Sequence, residues 1–380
     1  MSLKKLPDYR KKRYRMMYIA LISLILLAVA ATAYMNQPKF GRSPQGERLE
    51  RMKKSPHYRD GMFHNQHSTV QITSGKGKVR TMFDFLFEKR ERNRPDFVLP
   101  AIKTNLKELN PEEDLVVWFG HSSYYIQSGG KRLLVDPVFE DASPVSFFNK
   151  PFPGTDIYKA DDMPDIDYLI ITHDHWDHLD YKTVTLLRDR VSRVICPLGV
   201  GEHLEYWDFK KDQLVELDWQ EEAILDTGFT VYCLPSRHFS GRTFKSNQTL
   251  WASFLLKTPT QYLYFSGDGG YDSRFAEIAR RFPDIDVAIL ENGQYDKDWR
   301  YIHLMPEDLE KAIQELHPKK VFTGHNGKYA LARHPWDEPL NNIAAAAEKD
   351  SFNLFMPVIG EIVRTNSELK KAAETWWEHK

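Results

Sequence analysis

Residues 168–183, YLIITHDHWDHLDYKT, place His173, His175, Asp177 and His178 within six positions, directly after an apolar run. Imidazoles and carboxylates together form a ligand set for zinc and other first-row divalent ions. In extended backbone alternate side chains face the same way, so His173 and His175 point together at one ion. Asp177 and His178 fall where the chain turns, and can serve a second. Three further ligand-type side chains stand where an apolar strand meets a Gly/Ser-rich loop: His238 in SRHFSG, Asp268 in SGDGG and His325 in TGHNG. The glycines beside Asp268 allow close backbone approach. A single strand-end histidine is more often a packing residue. Such positions recurring in order along the chain, anchored by the cluster at 173–178, point instead to a metal centre.

Two ions about 3.5–4 Å apart lower the pKa of a shared water and neutralise charge developing on substrate oxygens. Phosphodiester, thioester, lactone and lactam hydrolysis all use that arrangement. The metal site therefore defines a hydrolase without selecting its substrate.

The elements that must position these residues are legible as apolar strands: DLVVWFG, SYYIQSGGKRLLVDP, DYLIITH, RVICP, QLVELDW, FTVYCLPS, TLWASFLLKT, QYLYFSGD, DVAILEN, KKVFTGH and LFMPVIGEIVRT. QSGGKR and KTPTQY read as hairpin turns. Helical patterns interleave later, in SRFAEIARRF, MPEDLEKAIQELHP and PLNNIAAAAEKD. Hairpins first and strand–helix alternation afterwards predict α/β layers with sheets inside and helices outside. The 380 residues suffice for one large domain or two ordinary ones, and 42% hydrophobic with 28% charged residues is ordinary for a globular protein. A net charge of −1 argues against a general polyanion binder, so nucleic acid is not an expected partner. Cys196 and Cys233 lie in apolar strands and read as buried free thiols.

The N-terminus differs in kind. MSLKKLPDYRKKRYR carries seven Lys/Arg and one Asp, and the twenty residues Met16 to Met35 that follow hold no charge, enough to span a bilayer as a helix. The basic flank favours a cytoplasmic N-terminus. A cleaved signal peptide competes, because Ala31-Thr32-Ala33 fits a cleavage site. Either arrangement exports the rest of the chain, membrane-anchored or secreted; an anchor of opposite orientation would leave it in the cytoplasm. The expected division is 1–35 as basic flank plus anchor or signal, 36–98 as linker and lead-in with a helix at TMFDFLFEKRER, and 99–380 as the catalytic domain.

THDHWDHLD, followed by His238, Asp268 and His325, resembles the metallo-β-lactamase superfamily over residues 110–365. WFGHSSYYIQSGGKRLLVDPVFEDASPVSFF and GHNGKYA resemble the branch that holds N-acylphosphatidylethanolamine-hydrolysing phospholipase D. The resemblance implies a four-layer αββα sandwich and two Zn2+ (or other first-row divalent) ions. It implies one ion on His173, His175 and His238 and a second on Asp177, His178 and His325, with Asp268 bridging. Asp136, in RLLVDP, matches the aspartate that holds a ligand in orientation. As catalytic residues, Asp268 would set the metal separation and Asp177 could take the proton of the attacking water. His303, in YIHLMPED, resembles a histidine lining the family's active site, and substrate contact and a structural role at the helix start both stay open. His121 reads as a packing or ligand-supporting residue. His57, His64, His67, His203, His317, His334 and His379 have no ligand-like setting. The family phospholipase is not expected to carry a span such as 16–35, so its cellular setting does not transfer.

Substrate class rests on SPVSFFNKPFPGTDIY, where Phe147, Phe148 and Phe152 among prolines suggest an apolar lip for acyl chains, with Lys150 near lipid phosphates. A loop tucked over the core is the other reading. The expected function is a phosphodiesterase of the phospholipase D type acting on N-acylphosphatidylethanolamine-like glycerophospholipids, with phospholipid and membrane as partners and a homodimer compatible. The rivals are a lactonase or other small-molecule hydrolase of the same fold, a tRNA-processing nuclease that the neutral charge disfavours, and a membrane-tethered module with structural metals.

Overall fold

A computed structural model describes residues 8–77, 80, 83, 84, 88, 90–366 and 375–378. Half of the helix expected at TMFDFLFEKRER, and His379, lie outside the described residues. A two-stranded ribbon, β1 (Tyr58–Arg59) and β2 (Met62–Phe63), precedes two seven-stranded mixed sheets. The first sheet runs in space β16 (Ile362–Arg364), β3 (Leu115–Trp118), β4 (Tyr124–Ser128), β5 (Lys131–Val135), β6 (Ile166–Ile170), β7 (Val191–Pro197), β8 (Leu214–Leu217). The second runs β15 (Leu354–Phe355), β14 (Lys320–Gly324), β13 (Val287–Glu291), β12 (Tyr262–Phe265), β11 (Ser253–Lys257), β10 (Phe229–Leu234), β9 (Glu222–Asp226). Strands β5 to β8 are parallel to one another, as are β12 to β15.

The period of two along each strand separates the layers. Phe254, Leu256, Leu263, Phe265, Val287, Ile289 and Phe322 join the first sheet in one core between the sheets. Their neighbours Leu255, Tyr264, Ala288, Leu290 and Val321 face the other way, against α5 (Arg274–Arg281), α6 (Pro306–Leu316) and α7 (Glu338–Asp350). Helices α3 (Tyr181–Leu187) and α4 (Gly201–Tyr206) pack Val184, Leu187 and Leu204 onto the main core with the first sheet. This is the expected αββα sandwich. The β4–β5 hairpin turns at Gly129 and Gly130, with φ +58 and +78, a conformation that suits glycine.

One expectation is corrected. LFMPVIGEIVRT is not one strand: β15 and β16 belong to different sheets, and the segment between them crosses the edge of the sandwich. Residues 36–98, expected as a linker that becomes an ordered lead-in, are packed on the domain at several points. Met52, at the end of α2 (Gly46–Met52), and Phe63 are fully packed members of the main core. Arg48 pairs with Glu202, Glu205 and Glu216 at 2.7–2.9 Å, which ties the lead-in to the domain. Ahead of it, α1 (Asp8–Met35) stands clear of the domain, its apolar residues exposed along Met16 to Val29. At 1.5 Å per residue its 28 residues span about 42 Å. Length and composition make it a candidate membrane span or signal segment. Cys196 and Cys233 are buried free thiols, as expected.

Candidate metal centre

Parallel strands in one sheet end at the same edge, and side chains just past those ends converge there. Asp136 follows β5 and His173 follows β6, its parallel neighbour; Asp268 follows β12, Glu291 ends β13 and His325 follows β14. His238 arrives from the loop after β10. Thus six strand ends from two sheets deliver their polar residues to one edge of the sandwich. His121, Asp136 and His325 hold left-handed backbone, with φ of 55, 40 and 67, a conformation that non-glycine residues reserve for constrained sites.

Two groups of side chains result. In the first, Nδ1 of His175 lies 2.9 Å from Nε2 of His173 and 3.2 Å from Nε2 of His238. In the second, Oδ2 of Asp177 lies 3.7 Å from Nε2 of His178 and 3.4 Å from Nε2 of His325. Asp268 stands between them: its Oδ2 is 3.2 Å from His178 and 3.1 Å from His325, and 4.0 and 3.8 Å from His173 and His238. All seven sequence-predicted ligand side chains are therefore brought together.

The outward ring nitrogens of His173, His178, His238 and His325 are held, which decides what their inward ones can do. His238 Nδ1 donates to Ile302 O at 2.7 Å and His325 Nδ1 to Gly293 O at 3.1 Å. Thr172 Oγ1 donates to Asp136 Oδ2 at 2.6 Å, so it accepts from His173 Nδ1 at 3.0 Å. Asp136 also accepts from His178 Nδ1 at 2.8 Å and from the Thr172 amide at 2.8 Å. With their protons facing outward, His173 and His238 turn bare Nε2 lone pairs towards His175. Burial lowers the pKa of His173, His175 and His238, so these imidazoles are neutral. Three neutral nitrogens that face one another call for a cation.

The second group carries the opposite charge balance. Burial would lower the His178 pKa, but Asp268, Asp177 and Asp136 outweigh it and raise the value to about 10. His325 is raised in the same sense by Asp268 and Asp177 against its burial. Yet Nε2 of both rings is buried without a hydrogen-bond partner, although Asp268 Oδ2 lies 3.2 and 3.1 Å away. The imidazoles and the carboxylate aim at a common point rather than at each other. That is the arrangement a divalent ion satisfies, so the residues present fit a metal centre of His and Asp ligands.

A cavity of about 290 Å³ opens on the group, lined by His175, Asp177, His238, Asp268, His303 and His325 and walled by Ile72, Phe239, Trp299, Ile302 and Leu331. His303 lines the cavity, and its Nδ1 bonds to Glu291. His121 is buried, and its Nε2 donates to Asp177 Oδ2 at 2.9 Å, supporting a ligand carboxylate. The lip is corrected. Phe152 is 2% exposed, packed with Leu99 and Trp336 in a satellite core. Phe147 and Phe148 are exposed and do not line this cavity.

Sequence reasoning missed several residues. Glu291 accepts from the Gly269 amide at 2.8 Å and bonds His303. Its strand-end position in DVAILEN was the available signal. Buried Arg242 donates to the carbonyls of Asp174 and Leu179 at 2.9 and 2.6 Å, and its guanidinium lies 4.1 Å from the Trp176 ring. His203, outside the ligand set as expected, accepts from the Arg42 amide and meets Asp174 Oδ2 at 3.1 Å. The loop from 173 to 178 is thus braced from behind.

An αββα sandwich with histidines and aspartates converging at its strand ends defines a metal-dependent hydrolase. The chain belongs to the β-lactamase superfamily: residues 131–326 match its "Beta-lactamase superfamily domain". It is 34% identical over 328 residues to an uncharacterized protein of Mycobacterium tuberculosis, covering 85% of this chain and 87% of that one. It is 27% identical over 251 residues to N-acyl-phosphatidylethanolamine-hydrolyzing phospholipase D 1 of Caenorhabditis elegans, covering 62% and 70% of the two chains. Among solved structures, Igni18, a metallo hydrolase from Ignicoccus hospitalis, matches with a TM-score of 0.52 at 19% identity over 68% of this chain and 99% of that one, a likeness of fold.

Proposed function

We propose that the protein is a dinuclear zinc phosphodiesterase that cleaves N-acylphosphatidylethanolamine-type glycerophospholipids at the head-group side, as a phospholipase D does. His173, His175 and His238 would hold one ion, Asp177, His178 and His325 the other, and Asp268 both. Ions bound there supply an activated water at neutral pH and neutralise charge on the phosphodiester oxygens. The remaining chemistry belongs to the chain. Asp136 fixes His178 through Nδ1, and His121 fixes the Asp177 carboxylate through Oδ2. Asp177 opens on the cavity and would take the proton of the attacking water. His303, oriented by Glu291, presents its ring to the substrate.

The observation that carries the lipid reading is the apolar wall over the ligand group. Ile72, Phe239, Trp299, Ile302 and Leu331 offer an acyl chain a surface that a small polar substrate would not need. The similarity to the C. elegans phospholipase supports it, as does the apolar helix α1, which would hold the domain beside lipid as an anchor with its basic flank inside. The test is a panel of phosphatidylethanolamine, its N-acyl form, a lactone and bis(p-nitrophenyl) phosphate, with products identified by mass. Phosphatidic acid and the free N-acylethanolamine are expected. Preferred turnover of the lactone would replace this reading with that of a small-molecule hydrolase.

A further inference from the structure

Four described phenylalanines are half or more exposed; Phe83, in the lead-in, is one, and the other three lie on the folded domain. Phe147 is 67% exposed, Phe148 53% and Phe244 93%. They sit on two loops remote in sequence, and both loops are bonded to the same short stretch of chain, the exit of α1. On one side, Pro144 O accepts from Tyr34 Oη at 2.6 Å and from Lys39 Nζ at 2.8 Å. On the other, Arg242 donates to Lys39 O from Nε at 3.2 Å and Nη2 at 2.8 Å.

Neither loop is loosely built. Ser143 Oγ bonds Val145 O and Phe148 O at 2.8 and 3.2 Å, the Phe148 amide bonds Val145 O at 3.0 Å, and the rings of Phe147 and Phe148 meet at 4.4 Å. Arg242, which starts the turn carrying Phe244, is buried against Trp176 and Trp207. Internal bonds that hold large apolar rings outward need an apolar partner to make sense of them. Exposed Lys150 and Lys245 flank the rings. Aromatic rings with neighbouring lysines, on loops bonded to the exit of an apolar helix, have the composition of a membrane interface.

We propose that Phe147, Phe148 and Phe244 form a collar around the exit of α1 that enters the lipid surface holding that helix, and so seats the domain on the bilayer in one orientation. The proposal rests on α1 remaining as an anchor and is independent of which bond the enzyme cleaves. It adds a consequence for the site. The loop that bears Phe244 begins at His238 and Phe239, so a single loop runs from the ligand group to the lipid.

The test uses the full chain in vesicles of phosphatidylcholine and phosphatidylglycerol, with single cysteines introduced as Phe148→Cys, Phe244→Cys and, as control, Ile224→Cys. Cys196 and Cys233 are buried, so an environment-sensitive thiol dye labels the new site, and Ile224 is exposed on β9, where no collar is proposed. Blue-shifted emission at 148 and 244, quenched by shallow spin-labelled lipid, with water-like emission at 224, is the expected result. Water-like emission at all three positions would overturn the collar. So would a blue shift that disappears on diluting the protein at fixed lipid, which would mark contact with a second copy, or a chain that carbonate washes off the vesicles. Substrate turnover is not read, so failure of the phospholipase assignment leaves this result unaffected.

Discussion

Phe40 packs edge-on against Trp176, with ring centroids 5.2 Å apart and planes at 78°. Trp176 stands between His175 and Asp177, so the segment leaving the apolar helix touches the ligand loop directly. The Arg242 guanidinium lies 4.1 Å from the same indole and donates to the loop's carbonyls. Such an aromatic pair is worth about 0.5–1.5 kcal/mol beyond its buried area. Phe40→Ala is expected to leave the fold intact by circular dichroism while a chelator strips the metal up to about tenfold faster. An unchanged stripping rate would show that the loop is held without this contact.

The carboxylate between the two ligand groups is the most sensitive position. Asp268→Asn keeps the shape and removes the charge that, in the proposed assignment, would hold two cations together. Elemental analysis is expected to fall from near two ions per chain, and hydrolysis of bis(p-nitrophenyl) phosphate to fall by at least ~10²-fold. Wild type that binds no zinc when supplemented, with its fold intact, would remove the basis of the assignment.

The three phenylalanines of SPVSFFNKPFPG now part company. Phe152→Ala opens a cavity beside Leu99 and Trp336 and is expected to cost about 3–5 kcal/mol in denaturant unfolding. Phe147→Ser and Phe148→Ser lie in solvent, or in lipid, and are expected to change unfolding of the detergent-solubilised chain by less than about 0.5 kcal/mol. Equal losses at all three would contradict the packing described.

Lys328 gives a pH dependence with a definite sign. Its ammonium is buried, donating to Phe119 O and Val138 O at 3.2 and 2.9 Å, and burial pushes its pKa down to about 8. In the unfolded chain the value is about 10.4. Between these values the unfolded state holds a proton that the native state has released, so this group makes stability rise with pH over that window. Lys328→Met lacks the group. The wild-type-minus-variant stability is therefore expected to climb between pH 8 and about 10.4; a flat difference would refute the burial argument.

Topology is the remaining test. With α1 uncleaved and its basic flank inside, the protein is expected in the membrane fraction at full mass, and a reporter fused after Lys380 to read an extracytoplasmic location. A shortened soluble product beginning near Tyr34 would favour a signal peptide, and a cytoplasmic reporter would overturn both arrangements.

The sequence alone determined the ligand types, most of the strands that carry them and the length of the apolar helix. These are local properties. Strand alternation, a Gly-rich turn and an uncharged run of twenty residues each express themselves within one element. His173, His238, Asp268 and His325 were legible for the same reason, since each follows an apolar run and precedes a Gly- or Ser-rich loop, the sole exception being the tight HDHWDH turn after His173. What only the tertiary structure decided was company. Phe152 and Phe148 have almost the same sequence setting, yet Phe152 is buried against Trp336 from a remote segment and Phe148 stays exposed. LFMPVIGEIVRT has one continuous apolar character, but its halves pair with strands of different sheets. Glu291 and Arg242 gain their roles from partners brought by other strands and from the chain ahead of the domain. Burial and pairing depend on surfaces supplied from far along the chain, and no window of local sequence contains them.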